Sequence, residues 1–272
     1  MNPVPGSGRR PPATGSGGGE RHDDRVAVIT GSSRGLGAGL AEAMAARGIR
    51  LGLCARSRPT APPSTESVTA SVDVTDAAAV DRFTDEVAAR FGPIDLWINN
   101  AGLLAPIGPL ADADPEELRA NIEVNVLGVL YGSAAFARHV RTRPGGGVLV
   151  NLSSGAATRP YLGWAAYGGA KAAVDMITEV VAGEERTAGL RCYALSPGLI
   201  DTDMQALIRS ATVKQFPAVA RFRQVHEEGA FNTPAWVARW ILERLVDDGP
   251  SRGADWGPGP EAGVRLRVPD EH

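Results

Sequence analysis

Residues 25–48 read RVAVITGSSRGLGAGLAEAMAARG, and the pattern in this stretch recurs along the rest of the chain. Its first six residues form a short apolar run with β-branched side chains, which is typical of a buried parallel strand. A glycine-rich turn follows, and then a helical pattern that ends at Gly48. The next apolar run, residues 49–55, predicts a second strand. These pieces together predict a strand–helix–strand unit, from which parallel α/β sheets are built.

The same alternation continues without a linker as far as residue 268. Further strands are predicted at 67–72, 94–98, 147–152, 190–195 and 263–268, and further helices at 75–91, 114–140, 165–187 and 234–246. The sequence therefore predicts an α/β fold. Residues 25–272 form a single doubly wound, Rossmann-type domain with a seven-stranded parallel sheet and helices on both faces. Residues 1–24 are rich in Pro, Gly and Ser and are predicted to be a disordered leader.

The composition excludes several classes of protein. Hydrophobic residues make up 43% of the chain and charged residues 22%, as in soluble globular proteins. The net charge of -3 does not favour nucleic acid or a membrane surface as a partner, and no apolar run is long enough for a membrane span. The cysteines, Cys54 and Cys192, both fall in predicted strands, which indicates buried reduced thiols in a cytoplasmic protein. The histidines show no metal-ligand spacing, so we predict no metal site.

A tyrosine and a lysine lie four residues apart in the predicted helix 165–187. Tyr167 and Lys171 share one face of that helix, because positions i and i+4 are neighbours on a helix surface. A free phenol has a pKa of about 10 and is a poor acid or base at neutral pH. A nearby cation lowers that pKa toward the useful range. The pair alone also fits an ordinary solvated helix, so the other motifs must decide.

A glycine-rich loop, TGSSRGLG at residues 30–37, lies between the first strand and the first helix. Glycines at this point permit a tight turn and a close approach of the backbone to a dinucleotide pyrophosphate, and the helix N-terminus favours its negative charge. The spacing is G-x-x-x-G-x-G, which differs from the commoner dinucleotide fingerprint. A simple turn is the alternative interpretation of such a loop when it stands alone.

Six motifs together resemble the short-chain dehydrogenase/reductase family in order and spacing. They are TGSSRGLG, NNAG at 99–102, Asn125 in NVLG, Ser154, Tyr167-x-x-x-Lys171 and Pro197-Gly198. The resemblance implies that Tyr167 is the general acid in carbonyl reduction and the base in the reverse direction. It implies that Lys171 binds the nicotinamide ribose and lowers the pKa of Tyr167, and that Ser154 hydrogen-bonds the substrate oxygen. Asn125, at a distortion in its helix, would hold a water that links Lys171 to solvent.

Ser153 competes with Ser154 for the catalytic role. The spacing of 13 positions from Ser154 to Tyr167 matches the family. Neighbouring strand residues face opposite sides, so only one serine can serve. The resemblance also implies a set of cofactor contacts. Besides Tyr167 and Lys171 they are Gly31, Ser33, Arg34, Gly35, Leu36, Gly37, Asp73, Val74, Asn100, Ala101, Gly102, Pro197, Gly198, Ile200 and Thr202.

The end of the second predicted strand indicates which dinucleotide binds. An NAD-specific enzyme of this fold usually has an acid there for the ribose 2′-hydroxyl. This chain instead has Arg56, and Arg34 lies in the glycine-rich loop. Guanidinium groups suit the 2′-phosphate, so we predict NADP(H) in preference to NAD(H), with Ser33 or Ser57 assisting. Solvated loop charges are the alternative interpretation of these arginines.

Two regions depart from the family pattern or bear on the substrate. Residues 57–67 contain three prolines and are predicted to be irregular where the family has a helix. A predicted substrate loop, 199–231, carries apolar side chains that either line the substrate site or belong to the core, and two aromatic residues precede Tyr167. These are Met204, Leu207, Ile208, Phe216, Phe222 and Phe231 in the loop, with Tyr161 and Trp164 before Tyr167. Residues 222–245 resemble the sepiapterin-reductase-like and benzil-reductase-like members.

The sequence thus predicts an NADPH-dependent carbonyl reductase acting on an apolar or aromatic ketone, aldehyde or diketone. Two alternatives are an alcohol-oxidising biosynthetic dehydrogenase and a catalytically silent NADP-binding regulator or scaffold. The resemblance also implies a homodimer or homotetramer that assembles through the helices at 114–140 and 165–187.

Overall fold

The computed structural model describes residues 24–247 and 261–271. Within them a single parallel sheet has the strand order β3-β2-β1-β4-β5-β6-β7. The strands are β1 Val26–Thr30, β2 Arg50–Ala55, β3 Ser67–Ser71, β4 Leu96–Asn99, β5 Gly147–Leu152, β6 Leu190–Ser196 and β7 Arg265–Arg267. The predicted fold class is confirmed. The predicted leader, apart from Asp24, lies outside the described residues.

Helices form at each of the predicted places, and two further helices, α6 and α7, lie within the predicted substrate loop. The helices are α1 Gly35–Ala45, α2 Ala77–Phe91, α3 Pro115–Ile122, α4 Gly128–Arg141, α5 Ala165–Glu184, α6 Asp203–Ser210, α7 Val219–Glu227 and α8 Pro234–Ile241. Asp76 and Asp114 cap α2 and α3 by accepting hydrogen bonds from backbone N–H groups. The predicted helix 114–140 is divided by a π-helical segment, Glu123–Leu127, and a second such segment, Leu242–Val246, extends α8.

Both faces of the sheet are covered by apolar helices. Leu40 and Met44 of α1 pack with Ile241 of α8 on one face. Phe83 of α2 and Phe136 of α4 pack on the other. Burial on both faces accounts for the nearly continuous apolar strands.

Cys54 and Cys192 are free and buried in the strands, as predicted. Burial raises the pKa of each thiol to about 12, so both stay protonated at neutral pH. The proline-rich crossover between β2 and β3 contains no helix, which confirms its predicted irregular form. Across the two described ranges, no helix is long and apolar enough to cross a membrane.

A third apolar cluster lies beyond the carboxyl edge of the sheet. It brings α6 and α7 together with the start of α5, through Ile208, Phe216, Phe222, Trp164 and Tyr167. The predicted substrate loop is therefore a folded, two-helix segment that packs beside the predicted catalytic tyrosine. Because the loops after the parallel strands all leave from this edge, it is where a ligand site is expected.

Candidate active site

The glycine-rich turn after β1 has a shape that only glycines allow. Gly31 and Gly35 have positive φ angles of 67° and 58°. A Cβ on Gly37 would lie 2.4 Å from the side-chain nitrogen of Asn100 and 2.5 Å from the carbonyl oxygen of Gly31. No side chain among the described residues caps the N-terminus of α1, so its backbone N–H groups can receive an anion. This cradle fits the pyrophosphate of a dinucleotide.

The NNAG motif after β4 joins two strand ends. The side-chain nitrogen of Asn100 donates to the carbonyl oxygens of Thr30, at 2.8 Å, and Gly31, at 3.1 Å. Asn99 is buried and bonds to Asn151 of β5 at 2.8 Å and to the Trp97 indole at 2.8 Å. The motif therefore stabilises the sheet next to the cradle, which is more than a simple polar turn would do.

Ser154, Tyr167 and Lys171 come together at the end of β5. The Ser154 hydroxyl hydrogen-bonds that of Tyr167. The Lys171 ammonium donates to the carbonyl oxygen of Leu152 at 2.7 Å and lies 5.7 Å from the centroid of the Tyr167 ring. Ser153 faces the other way and donates to Asp175. The structure therefore brings Ser154, and not Ser153, to Tyr167.

The electrostatics of Tyr167 differ from the prediction. We expected Lys171 to lower the pKa of Tyr167, but burial raises it, and only the hydrogen bond with Ser154 opposes the rise. Burial also lowers the pKa of Lys171 to about 8, against the charge of Asp175. The prediction of a lowered tyrosine pKa is therefore wrong for this structure, because desolvation is the largest influence on the phenol. Tyr167 is a neutral phenol at pH 7, which is the form that a proton donor requires.

Asn125 lies in the π-helical segment, so the predicted distortion at this residue is present. Its side-chain oxygen accepts from the backbone N–H of Leu103 at 3.0 Å, and its nitrogen donates to the Leu103 carbonyl at 2.6 Å. A Cβ on Gly102 would lie 3.2 Å from the Asn125 side-chain oxygen and 3.9 Å from the Lys171 nitrogen. The Asn125 side-chain oxygen and the Lys171 ammonium therefore both lie beside Gly102, where there is little space for a side chain.

The segment after β6 returns to the glycine-rich turn. Gly198 has a positive φ of 82°, and a Cβ there would lie 2.5 Å from the side-chain nitrogen of Asn232. That nitrogen donates to the carbonyl of Pro197 at 3.0 Å. The methyl group of Thr202 lies 3.3 Å from the position of a Cβ on Gly35. The predicted Pro197–Thr202 contacts therefore close over the cradle. The sequence did not predict a role for Asn232, because its partner Pro197 lies 35 residues away along the chain.

The adenosine end of the cleft is exposed. The Arg34 guanidinium forms an ion pair with Asp203 at 2.9 Å, and both side chains are about three-quarters exposed. Among the described contacts none joins Arg34 to Arg56. Asp73 accepts from the backbone and hydroxyl of Thr75, and Val74 is buried against Gly128. All the predicted cofactor contacts follow the carboxyl ends of β1, β2, β3, β4 and β6 or lie on α5.

An aromatic cluster contacts Tyr167. Trp164 stacks on Phe216 with ring centroids 4.4 Å apart, and Phe222 and Tyr161 complete the cluster. The rings of Trp164 and Tyr167 form an edge-to-face pair, with centroids 5.6 Å apart and planes inclined by 74°. A cavity of about 540 Å³ lies behind this cluster, between residues 105–117 and 207–215. Tyr167 does not line that cavity. Ala211 lines it and also belongs to the third apolar cluster described above.

The anion cradle, the buried tyrosine–lysine pair with Ser154 beside it and the closing segment define a dinucleotide-dependent oxidoreductase. Residues 25–212 match the family model described as short chain dehydrogenase. The chain therefore belongs to the short-chain dehydrogenase/reductase family. The resemblance on which the sequence prediction rested is confirmed.

Relatives and solved structures agree with this assignment. The chain is 32% identical to a benzil reductase ((S)-benzoin forming) of Bacillus subtilis (strain 168), over 83% of this chain and 95% of the relative. It is 30% identical to a protein of the same description from Bacillus cereus, over 81% and 94%. The crystal structure of a levodione reductase superposes with a TM-score of 0.76 at 27% identity, covering 91% of this chain and 97% of that one.

Proposed function

We propose that this protein reduces an aromatic ketone, in particular a vicinal diketone with aryl substituents, to the hydroxy compound with NADPH. The observation that carries this proposal is the aromatic cluster in which Trp164 and Tyr167 form an edge-to-face pair. Trp164, Phe216 and Phe222 are buried and Tyr161 is half-buried, so an aryl group beside the reacting carbonyl would pack against the surface of this cluster, since aromatic groups favour edge and offset contacts. Benzil is a diaryl 1,2-diketone, so the two benzil reductase relatives support the same substrate class.

The residues of the site divide the work of reduction. The nicotinamide, when bound, supplies the hydride that adds to the carbonyl carbon. Ser154 donates a hydrogen bond to the carbonyl oxygen and orients it, and Tyr167 transfers its phenolic proton to that oxygen. The Lys171 ammonium stabilises the phenolate that remains. Asn125, which lies beside Gly102 as Lys171 does, holds the water through which the proton is replaced from solvent.

Tyr167 fits either direction of the reaction. Burial raises the pKa of the phenol, so the neutral form, which gives a proton during reduction, prevails at pH 7. Oxidation of an alcohol would use the same hydroxyl as the base, so the site serves both directions.

The arginines at the adenosine end support NADPH. Arg34 and Arg56 follow β1 and β2, and the β2 end carries no acid to receive a ribose hydroxyl. Bidentate guanidinium contacts suit a phosphomonoester that carries close to two charges. Measuring kcat/KM with NADPH and with NADH tests this part, and a preference for NADH would contradict it.

A panel of carbonyl compounds tests the substrate class. We expect aryl diketones to consume NADPH faster than alkyl diketones, pterins or β-ketoacyl thioesters. Trp164→Leu should reduce the preference for aryl over alkyl diketones about tenfold, since an aromatic contact beyond simple burial is worth about 1 kcal/mol and part of the burial is lost as well. Trp236→Leu, which changes a tryptophan on α8, is the matched control. Equal rates for aryl and alkyl diketones would contradict the proposal.

We also propose that the protein is at least a dimer that assembles through α4 and α5. Leu130 of α4 and Met176 and Val180 of α5 are large apolar side chains that remain exposed, at 38%, 61% and 48%. Burial in an interface would remove this apolar surface from water. Light scattering tests the assembly, and a monomer at micromolar concentration would contradict it.

A further inference from the structure

Asp175 lies behind Lys171, one helical turn further along α5. Ser153 donates a hydrogen bond to its carboxylate, and Nε of Arg265 lies 3.2 Å from its second oxygen. The charge of Asp175 also acts on Lys171. The side chain is 20% exposed, so these interactions are largely shielded from solvent. A carboxylate in the middle of the catalytic helix therefore has three partners from three elements.

Arg265 connects this carboxylate to the catalytic serine. It lies on β7, and its terminal nitrogen donates to the carbonyl oxygen of Ser154 at 2.9 Å. One guanidinium thus holds the backbone of Ser154 and the side chain of Asp175 together, as the planar donor set of arginine allows. The other arginine of the strand, Arg267, pairs with Asp270 and takes no part in this arrangement.

We propose that Asp175 and Arg265 are positioning residues for the reaction. Together they hold Ser153 and Ser154 in opposite orientations and keep an anion next to the Lys171 ammonium. The proposal rests on the proposed function, since it assigns a purpose to a group behind the tyrosine–lysine pair. Neither residue is expected to touch the substrate.

The charge of Asp175 has a defined consequence for Lys171. Burial lowers the pKa of Lys171 to about 8, and Asp175 is the group that opposes the fall. Asp175 is itself influenced by Ser153 of β5, Arg265 of β7 and Lys171 of its own helix, which hold down a pKa that burial raises. Removing the carboxylate should therefore lower the pKa of Lys171 further, and more of the lysine would be neutral at physiological pH.

The lysine content of the chain permits a direct measurement. Lys171 and Lys214 are the only lysines of the sequence. Protein labelled with 13C-lysine gives two side-chain signals, and a Lys214→Arg variant assigns them. We expect the Lys171 signal to titrate with a midpoint near 8 in the unmodified protein. The midpoint should fall in Asp175→Asn and Asp175→Ser, and it should stay close to the original value in Asp175→Glu. An unchanged or higher midpoint in the uncharged variants would overturn the proposal.

Kinetics supply a second readout. Arg265→Met should reduce kcat for carbonyl reduction about tenfold to a hundredfold, because a misplaced group costs that much, and Arg265→Lys should recover part of it. Arg267→Met is the matched control on the same strand and should change kcat less than about twofold, as for an exposed residue away from the site. An unchanged kcat in Arg265→Met would overturn the role of that residue.

Circular dichroism checks that each variant folds. If both uncharged Asp175 variants fail to fold, the residue is structural and the proposal is overturned.

The two proposals can fail separately. The lysine titration requires no substrate, so it remains interpretable if no carbonyl compound is reduced and the proposed function is wrong. Conversely, undiminished aryl diketone reduction in the Asp175 and Arg265 variants would leave the proposed function standing and reject the positioning role.

Discussion

The catalytic half of the cleft, around Tyr167 and Lys171, and the adenosine half, around Arg34, hold their charges in different ways. Tyr167 is 8% and Lys171 5% exposed, and each has partners fixed by the sheet and α5. The Arg34 side chain is 74% exposed and pairs with a carboxylate that is equally exposed. Buried groups keep a geometry that proton transfer requires, whereas exposed charges are screened by salt and easily exchanged. Reaction chemistry and cofactor choice should therefore respond very differently to mutation.

The largest effect is expected from the buried half. Tyr167→Phe removes the proposed proton donor but keeps the ring against Trp164, so kcat for carbonyl reduction should fall about 10²–10⁴-fold. NADPH binding, followed by fluorescence, should change little. Tyr161→Phe, which removes a hydroxyl from the same aromatic cluster, is the control and should retain activity. Undiminished turnover in Tyr167→Phe would show that the proton comes from another group.

A second buried position tests stability rather than chemistry. Asn99→Leu leaves the buried amide of Asn151 and the Trp97 indole without their partner and should lower the free energy of unfolding by about 3 kcal/mol. Urea denaturation measures the change. Exposed Gln224→Leu on α7 should stay within about 0.5 kcal/mol. A loss no larger than that of the control would mean that the network adds little to the sheet.

The exposed half should govern cofactor preference. Arg34→Ala and Arg56→Ala should each lower kcat/KM with NADPH about 10–100-fold, because a hydrogen bond to a charged group is worth about 1.5–3 kcal/mol. The values with NADH should barely change, and the NADPH effect should weaken at high salt. Arg58→Ala, two residues beyond Arg56, is the control. Equal losses of kcat/KM with NADPH and with NADH would show that these arginines do not determine cofactor preference.

The buried lysine also predicts how stability depends on pH. The pKa of Lys171 is about 8 when folded and 10.5 in its ordinary state. Between these values the unfolded chain binds a proton that the folded protein has released, so the free energy of unfolding should rise as pH increases through this window. The raised pKa values of Cys54 and Cys192 act in the opposite sense from about pH 9, and that of Tyr167 does so above pH 10. Urea denaturation at pH 7.0, 7.5 and 8.5, below the range in which the thiols titrate, should show the rise, and Lys171→Met should flatten it.

The smallest effect is expected at the Arg34–Asp203 pair. Asp203→Asn releases Arg34 for the 2′-phosphate and should tighten NADPH binding about twofold to fivefold, since exposed ion pairs contribute at most about 1 kcal/mol. The affinity for NADH should stay unchanged. Weaker NADPH binding would mean instead that Asp203 holds Arg34 in its binding position.

Features that depend on local pattern could be predicted from the sequence. The alternation of strands and helices and the burial of Cys54 and Cys192 in the strands follow from apolar patterns within single elements. The irregular crossover follows from prolines, which cannot continue a helix. These are consequences of backbone geometry, which short stretches of sequence determine.

Features that depend on burial or on distant partners could not be predicted. Asp175 reads as an ordinary polar residue on α5, and only the three-dimensional structure brings Arg265 to it. Asn232 bonds to Pro197 and Pro269 from a loop between them. The sign of the Tyr167 pKa shift was missed for a related reason. The position of Lys171, one helical turn away, can be inferred from the sequence. The burial that raises the pKa of Tyr167 depends on the complete fold.

The hydrogen bond from Arg265 to Ser154 also affects how the protein is made. It joins residues 111 positions apart, and Arg265 lies on the strand that covers the edge of β6. At ordinary rates of translation the ribosome adds those residues on the order of ten seconds after Ser154. Once β6 has been made and until β7 follows it, the nascent chain carries an unpaired β6 edge, which is a site for pairing with other chains. Arrival of β7 closes this edge and anchors the catalytic serine in the same step, so enzymatic competence coincides with protection from aggregation.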